Sequence, residues 1–200
     1  MKIVRLLHGN NETYGFVKGD KVATKDEIIY QTGIPIPNNV KDFLFDGWYD
    51  EIKNKIEDLP FEENISKYKI LTPIVNPNKI ICLAFNYRDH AEEQGLKAPE
   101  DPVMVMKPRT ALTSTESYIV CPDFVTKLDY EVELAVIIGK NCKNISIEDA
   151  SSVVFGYMIF NDVSARDIQF KDKQFTRGKS FDTFAPCGPW ITTADEIQDA

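Results

Sequence analysis

The chain has 200 residues, 43% hydrophobic and 11% aromatic, a composition that excludes a disordered or low-complexity protein. Its formal net charge of −8, from 23 basic and 31 acidic residues, argues against nucleic acid or an anionic membrane as the main partner. No stretch approaches the ~18–20 apolar residues of a membrane span, and the opening MKIVRLLHGNNETYGF holds no apolar signal-peptide core.

Residues 2–7, 14–17 and 21–23 read as short strands, with turns at Gly9-Asn10-Asn11 and Gly19-Asp20. Residues 40–55 carry helical apolar spacing through Phe43, Leu44, Trp48 and Ile52. The charged stretch 59–69 breaks that pattern, and Pro73 and Pro77 follow it. A boundary near residue 72 therefore divides a small N-terminal domain, 1–72, from a second region, 73–200. That region opens with a buried strand over 79–85 and a helix over 86–96 that ends at Gly95. Pro99 and Pro102 enclose a loop, and a strand over 103–107 stops at Pro108. Further strands are expected over 118–120 and 131–138, the second buried along its apolar block 134–138. Ser146 and Asp149 fit a capping box that opens a short helix to about residue 153. An apolar strand over 154–160 runs into Asn161-Asp162, and a last strand covers 189–192. Many strands and few helices make a β-rich α+β fold.

The four cysteines, Cys82, Cys121, Cys142 and Cys187, form no C-x-x-C pair. They are expected to be reduced packing residues of a cytoplasmic protein, and a cysteine-built zinc site is not expected. Three features carry chemistry. In LDYEVELAVIIGK, Glu131 and Glu133 sit two apart on a strand and share a face, with Asp129 behind them. With Asp162 at the end of the next long strand they either line a solvated face or hold a hard divalent cation that offsets their repulsion. In NYRDHAEE, His90 and Glu93 share a helix face. They form either an imidazole base oriented by a carboxylate or an incidental pair on an exposed helix. Lys107, Arg166 and Lys179 are cations that suit an anionic substrate, or plain surface charges.

The segments KIICLAFNYRDHAEE, VMVMKPRT, LDYEVELAVIIGK, YMIFNDVSARDIQ and GKSFDTFAPCGPW, in this order and spacing, resemble the fumarylacetoacetate hydrolase superfamily. The resemblance runs from about residue 71 to 190. It implies a mixed β-roll or sandwich catalytic domain preceded by a small α+β domain. It implies that Glu131, Glu133 and Asp162 bind Mg²⁺, Mn²⁺ or Ca²⁺, and that His90 and Glu93 form a dyad on a lid that orders over ligand. Lys179 is then the active-site lysine, and Tyr87, Lys107, Arg166 and Gln169 stand near substrate. In that family the catalytic domain continues beyond the equivalent of Ala200 with a later Gly-Thr-Pro-type motif, so a domain incomplete at its C-terminal side is expected.

The chemistry so implied is that of a 2-oxo or diketo acid chelated by the cation, which acts as a Lewis acid toward an enolate. C–C bond hydrolysis of an acylpyruvate or fumarylacetoacetate type substrate, or decarboxylation of an oxo acid, is the first expectation. Isomerisation or dehydration of a 2-oxo sugar acid or a hydroxymuconate-type diacid is the alternative within the family. A non-catalytic binding or scaffold protein is the alternative outside it. A small-molecule oxo acid and a second copy of the chain, as a homodimer, are the expected partners; nucleic acid and membrane are not.

Overall fold

The computed structural model describes residues 1–197 except 88, 90, 91, 93, 94 and 96–98. The chain opens as a meander of β1 (Lys2–His8), β2 (Asn11–Lys18) and β3 (Lys21–Thr24). Alternation along these strands feeds two cores. Ile3, Tyr14, Phe16 and Ala23 point to one face and Val4, Leu6, Val17 and Val22 to the other. The first face is covered by α1 (Lys25–Thr32), α2 (Val40–Phe45) and α3 (Trp48–Ile52), which contribute Ile28, Phe43, Leu44 and Ile52. The sequence reading has no α1, although Thr24 and Glu27 mark its start: the Thr24 N–H donates to the Glu27 carboxylate at 2.6 Å. The single helix expected over 40–55 is broken. Gly47 takes a left-handed φ of 77°, and 3-10 turns replace the α-helix over Lys53–Asp58.

The short β4 (Glu63–Asn64) and β5 (Lys69–Leu71) are followed by β6 (Ile81–Ala84) and β7 (Val103–Met106), which pair with each other. Next come β8 (Leu112–Ser114), β9 (Leu128–Asp129), β10 (Val132–Ile138), β11 (Val154–Asn161), β12 (Ser164–Ala165), α4 (Arg166–Asp172) and β13 (Ala185–Thr193). Among the described residues one sheet runs β10-β11-β13-β1-β2-β3-β4, with β5 on β1 and β8 on β13. The β1–β13 pairing, Lys2 opposite Thr192, carries this sheet across the boundary expected near residue 72. The fold is thus mixed α+β and strand-rich, with its large sheet mostly antiparallel.

Three expectations are corrected. Residues 118–120 form no strand; the Val120 N–H donates to the Thr183 hydroxyl instead of a ladder. The Ser146–Asp149 turn does form, but only one 3-10 turn, Ala150–Val153, follows it. The apolar block 134–138 is not buried along its length. It belongs to β10, one of the two end strands of the sheet among the described residues, and Val132, Leu134, Val136 and Ile138 are exposed. No helix among the described residues is long and apolar enough to cross a membrane.

Candidate metal centre

The site forms where β11 ends and β10 begins. The Asp162 N–H donates to the Glu131 carbonyl at 2.8 Å, and the Glu131 N–H donates to Asn161 Oδ1 at 3.1 Å. Two acids 31 positions apart are thereby tied through the backbone. Asp162 is almost wholly buried and receives a cation on each oxygen. Lys107 Nζ donates to Oδ1 at 2.5 Å and Lys179 Nζ to Oδ2 at 2.6 Å. Lys179 also donates to Glu131 Oε2 at 2.6 Å and to Ser164 Oγ at 2.8 Å. Arg166, at the start of α4, donates to Glu131 Oε1 at 2.7 Å, Asp129 Oδ2 at 2.9 Å and Gln169 Oε1 at 3.1 Å. Gly178 lets the turn that carries Lys179 approach this wall. A Cβ there would lie 3.0 Å from the Ala165 carbonyl oxygen and 3.1 Å from the Gln169 nitrogen.

Charges alternate along the chain Lys107–Asp162–Lys179–Glu131–Arg166–Asp129. Burying such groups is tolerable because each is paired and hydrogen-bonded. Burial pushes the Asp162 carboxyl up, but Lys107 and Lys179 outweigh it and hold the group below the ordinary carboxylate range. Burial likewise works against the Lys179 ammonium, and Asp162 and Glu131 overcome it, so that lysine stays charged. Glu133 has no place in this alternation. Burial first, then the charges of Asp162 and Glu131, push its carboxyl up to about 7. No described residue donates a hydrogen bond to it.

Glu133, Asp162 and the Cys82 sulfur offer ligand atoms that all lie within 4.8 Å of one another. Carboxylate oxygens are hard donors, and a divalent cation removes the repulsion that Glu133 meets. The residues present therefore fit a divalent metal ion. Glu133 and Asp162 would hold it, with Glu131 beside them.

A cavity of about 520 Å³ opens onto these groups and is lined by Glu131, Glu133, Asp162, Arg166, Gln169, Lys179 and Tyr87. Glu131 and Glu133 do share this cavity, although β10 starts only at Val132. The Tyr87 hydroxyl accepts the Leu134 N–H at 2.9 Å, which fixes it beside Glu133. Lys107 stands behind Asp162 rather than on the cavity wall and also donates to the Val163 carbonyl at 3.0 Å. His90 and Glu93, and with them most of the expected lid helix, lie outside the described residues. Cys82, expected only as a packing residue, does pack in a core cluster, and its position on the cavity wall follows from the alternation of Ile81, Cys82 and Leu83 along β6. The sequence reading passed over the aromatic part of the wall: Phe85, Phe170 and Phe175. Phe85 takes a left-handed φ of 58°, rare for such a residue, and its ring meets Phe175 at 6.3 Å.

The sequence profile described as fumarylacetoacetate (FAA) hydrolase C-terminal matches residues 79–200. Over 136 residues the chain is 45% identical to an oxaloacetate tautomerase, mitochondrial, of Xenopus laevis, covering 67% of this chain and 43% of that one. It is similar in structure to maleylpyruvate hydrolase from Sphingobium sp. SYK-6, solved with manganese(II) and pyruvate (TM-score 0.77, 31% identity, 100% of this chain and 69% of that one). It is also similar to a 5-carboxymethyl-2-hydroxymuconate delta-isomerase from Mycobacterium smegmatis (TM-score 0.71, 33% identity, 97% of this chain and 66% of that one). The chain spans about half the length of the curated relatives it matches, 54%, 62% and 43% in three of them.

Proposed function

The chain belongs to the fumarylacetoacetate hydrolase family, whose named members here are a tautomerase, a hydrolase and an isomerase, and from that premise we propose a divalent-metal-dependent enzyme acting on a small 2-oxo acid through an enolate. One observation carries the reading: the Glu133 carboxylate, which no described residue hydrogen-bonds, stands within 4.8 Å of Asp162 on a cavity that Arg166 and Lys179 also line. A divalent cation bound there supplies Lewis-acid stabilisation for negative charge on a keto oxygen. Mg²⁺, Mn²⁺ and Ca²⁺ all suit the donors, and the manganese in the Sphingobium structure supports Mn²⁺ as the working probe.

The chain's own residues do the rest. Lys179 spends its donors on Glu131, Asp162 and Ser164, so it is a fixed positive charge, not a base. Such a preorganised charge beside the cavity favours negative charge that develops on the substrate. Arg166 holds Glu131 in position and sets the side chain of Gln169, which lines the cavity. In this reading His90, oriented by Glu93, moves the proton. The rings of Phe85, Phe170 and Phe175 face the part of the acid remote from its carboxylate.

C–C bond hydrolysis of an acylpyruvate-type acid is the first outcome, with a protein-activated water attacking the distal carbonyl and the enolate departing; decarboxylation uses the same enolate. A tautomerase or isomerase is the second reading, favoured by the Xenopus laevis relative. The test is Mn²⁺-loaded and chelator-treated protein, each given acylpyruvate and the enol of oxaloacetate, with the enol absorbance followed. Metal-dependent loss of one absorbance is expected, with kcat lowered and Mn²⁺ affinity kept in His90→Ala. Mn²⁺ binding without turnover of either acid would leave a binding protein in place of an enzyme.

A further inference from the structure

We propose that Cys82 is a third donor at the Glu133–Asp162 centre, and that it makes this site prefer thiophilic divalent ions such as Co²⁺, Zn²⁺ or Cd²⁺ over Mg²⁺. The proposal rests on the reading of Glu133 and Asp162 as ligands and adds a residue of different chemistry. The Cys82 sulfur lies within 4.8 Å of both carboxylates. An ion bonds sulfur at about 2.3 Å and carboxylate oxygen at about 2.0–2.2 Å, so these donors stand close to the span that one ion bridges.

The sulfur is also held there. Cys82 is the inward residue of β6 and packs with Ala111, Phe160, Ala185 and Cys187. It pairs with Val105 on β7, the strand that leads directly to Lys107, and the Lys107 N–H donates to the Ile80 carbonyl at 3.1 Å. Cys82 and the cation on Asp162 therefore ride on one strand pair. Cys82 lines the same cavity as Glu133, so an ion that reaches the carboxylate meets the sulfur. The second sign of a ligand is Glu133 itself, whose carboxylate takes no hydrogen bond from the described residues.

Hard ions gain little from sulfur and bind through oxygen alone, whereas softer ions gain a strong bond. As that bond forms, the thiol proton leaves to solvent and the sulfur binds as thiolate.

The test uses the full chain, stripped by chelator, with Co²⁺ and Mn²⁺ as probes. Co²⁺ should raise a near-ultraviolet thiolate-to-cobalt charge-transfer band in the wild type. That band should vanish in Cys82→Ser and in Glu133→Gln. Co²⁺ affinity should fall on the order of tenfold or more in Cys82→Ser, while its Mn²⁺ affinity stays at the wild-type value. A band that survives Cys82→Ser assigns the sulfur to another cysteine and overturns the proposal. Mn²⁺ binding with no cobalt band in the wild type removes Cys82 and leaves the carboxylate centre standing. Failure of both ions to bind overturns the centre and the proposal together.

Discussion

Glu133 is the residue on which the site turns, because no described residue hydrogen-bonds its carboxylate, whereas Asp162 and Glu131 each accept from a cation. Its carboxyl is raised from 4.5 to about 7, by burial first and by Asp162 and Glu131 next. A folded-state pKa above the unfolded value means that the native chain holds the extra proton between those two values. The stability tied to that proton is complete below pH 4.5 and is lost as pH rises through 7. The metal-free protein is therefore expected to lose more thermal stability across this window than Glu133→Gln does. Thermal unfolding of both at a series of pH values checks this; equal slopes would mean that Glu133 is not under strain. Bound Mn²⁺ should flatten the wild-type slope, because the cation takes the place of the proton. Asp162 behaves oppositely: Lys107 and Lys179 hold its carboxyl below the ordinary carboxylate range, so its contribution is lost only as pH falls below that range.

The turn Arg177–Lys179 and α4 show how backbone contact places the charges. Gly178→Ala would press a methyl group onto the Ala165 carbonyl and the Gln169 nitrogen, both backbone atoms that cannot swing aside. A stability loss of about 1–3 kcal/mol is expected. A weaker Mn²⁺ affinity should accompany it as Lys179 moves from Asp162 and Glu131. Unfolding and titration of the same sample check it, and an unchanged affinity would separate Lys179 from the centre. Neither α4 nor this contact was legible in the sequence. Only Ile168 and Gln169 of α4 are buried, so no apolar stripe announces the helix. The strands β1, β2, β10 and β11 were legible from alternation and apolar runs, and Asp162 from its position at a strand end. Cys82 was not, because spacing along the chain carries no sign of a centre assembled across β6, β10 and the end of β11.

Among the described residues β10 presents an exposed apolar face. Val132 is 66% exposed and Leu134 52%, and across the pair Leu134 faces Ile159, itself 58% exposed. The apolar pattern of 134–138 alone reads as core, and only the sheet order shows that β10 is an end strand among the described residues. A contiguous apolar face on an edge strand favours association. We expect the chain to self-associate, and Leu134→Glu with Val136→Lys to shift it toward monomer. Sedimentation velocity over a range of concentrations reads this, and a wild type that stays monomeric throughout would contradict it. The more basic proposal is that one divalent cation sits between Glu133 and Asp162. Calorimetric titration of Mn²⁺ into the chelator-stripped chain tests it most directly. One ion per wild-type chain is expected, with binding lost in both Glu133→Gln and Asp162→Asn; Mn²⁺ binding at wild-type affinity in either variant would contradict it.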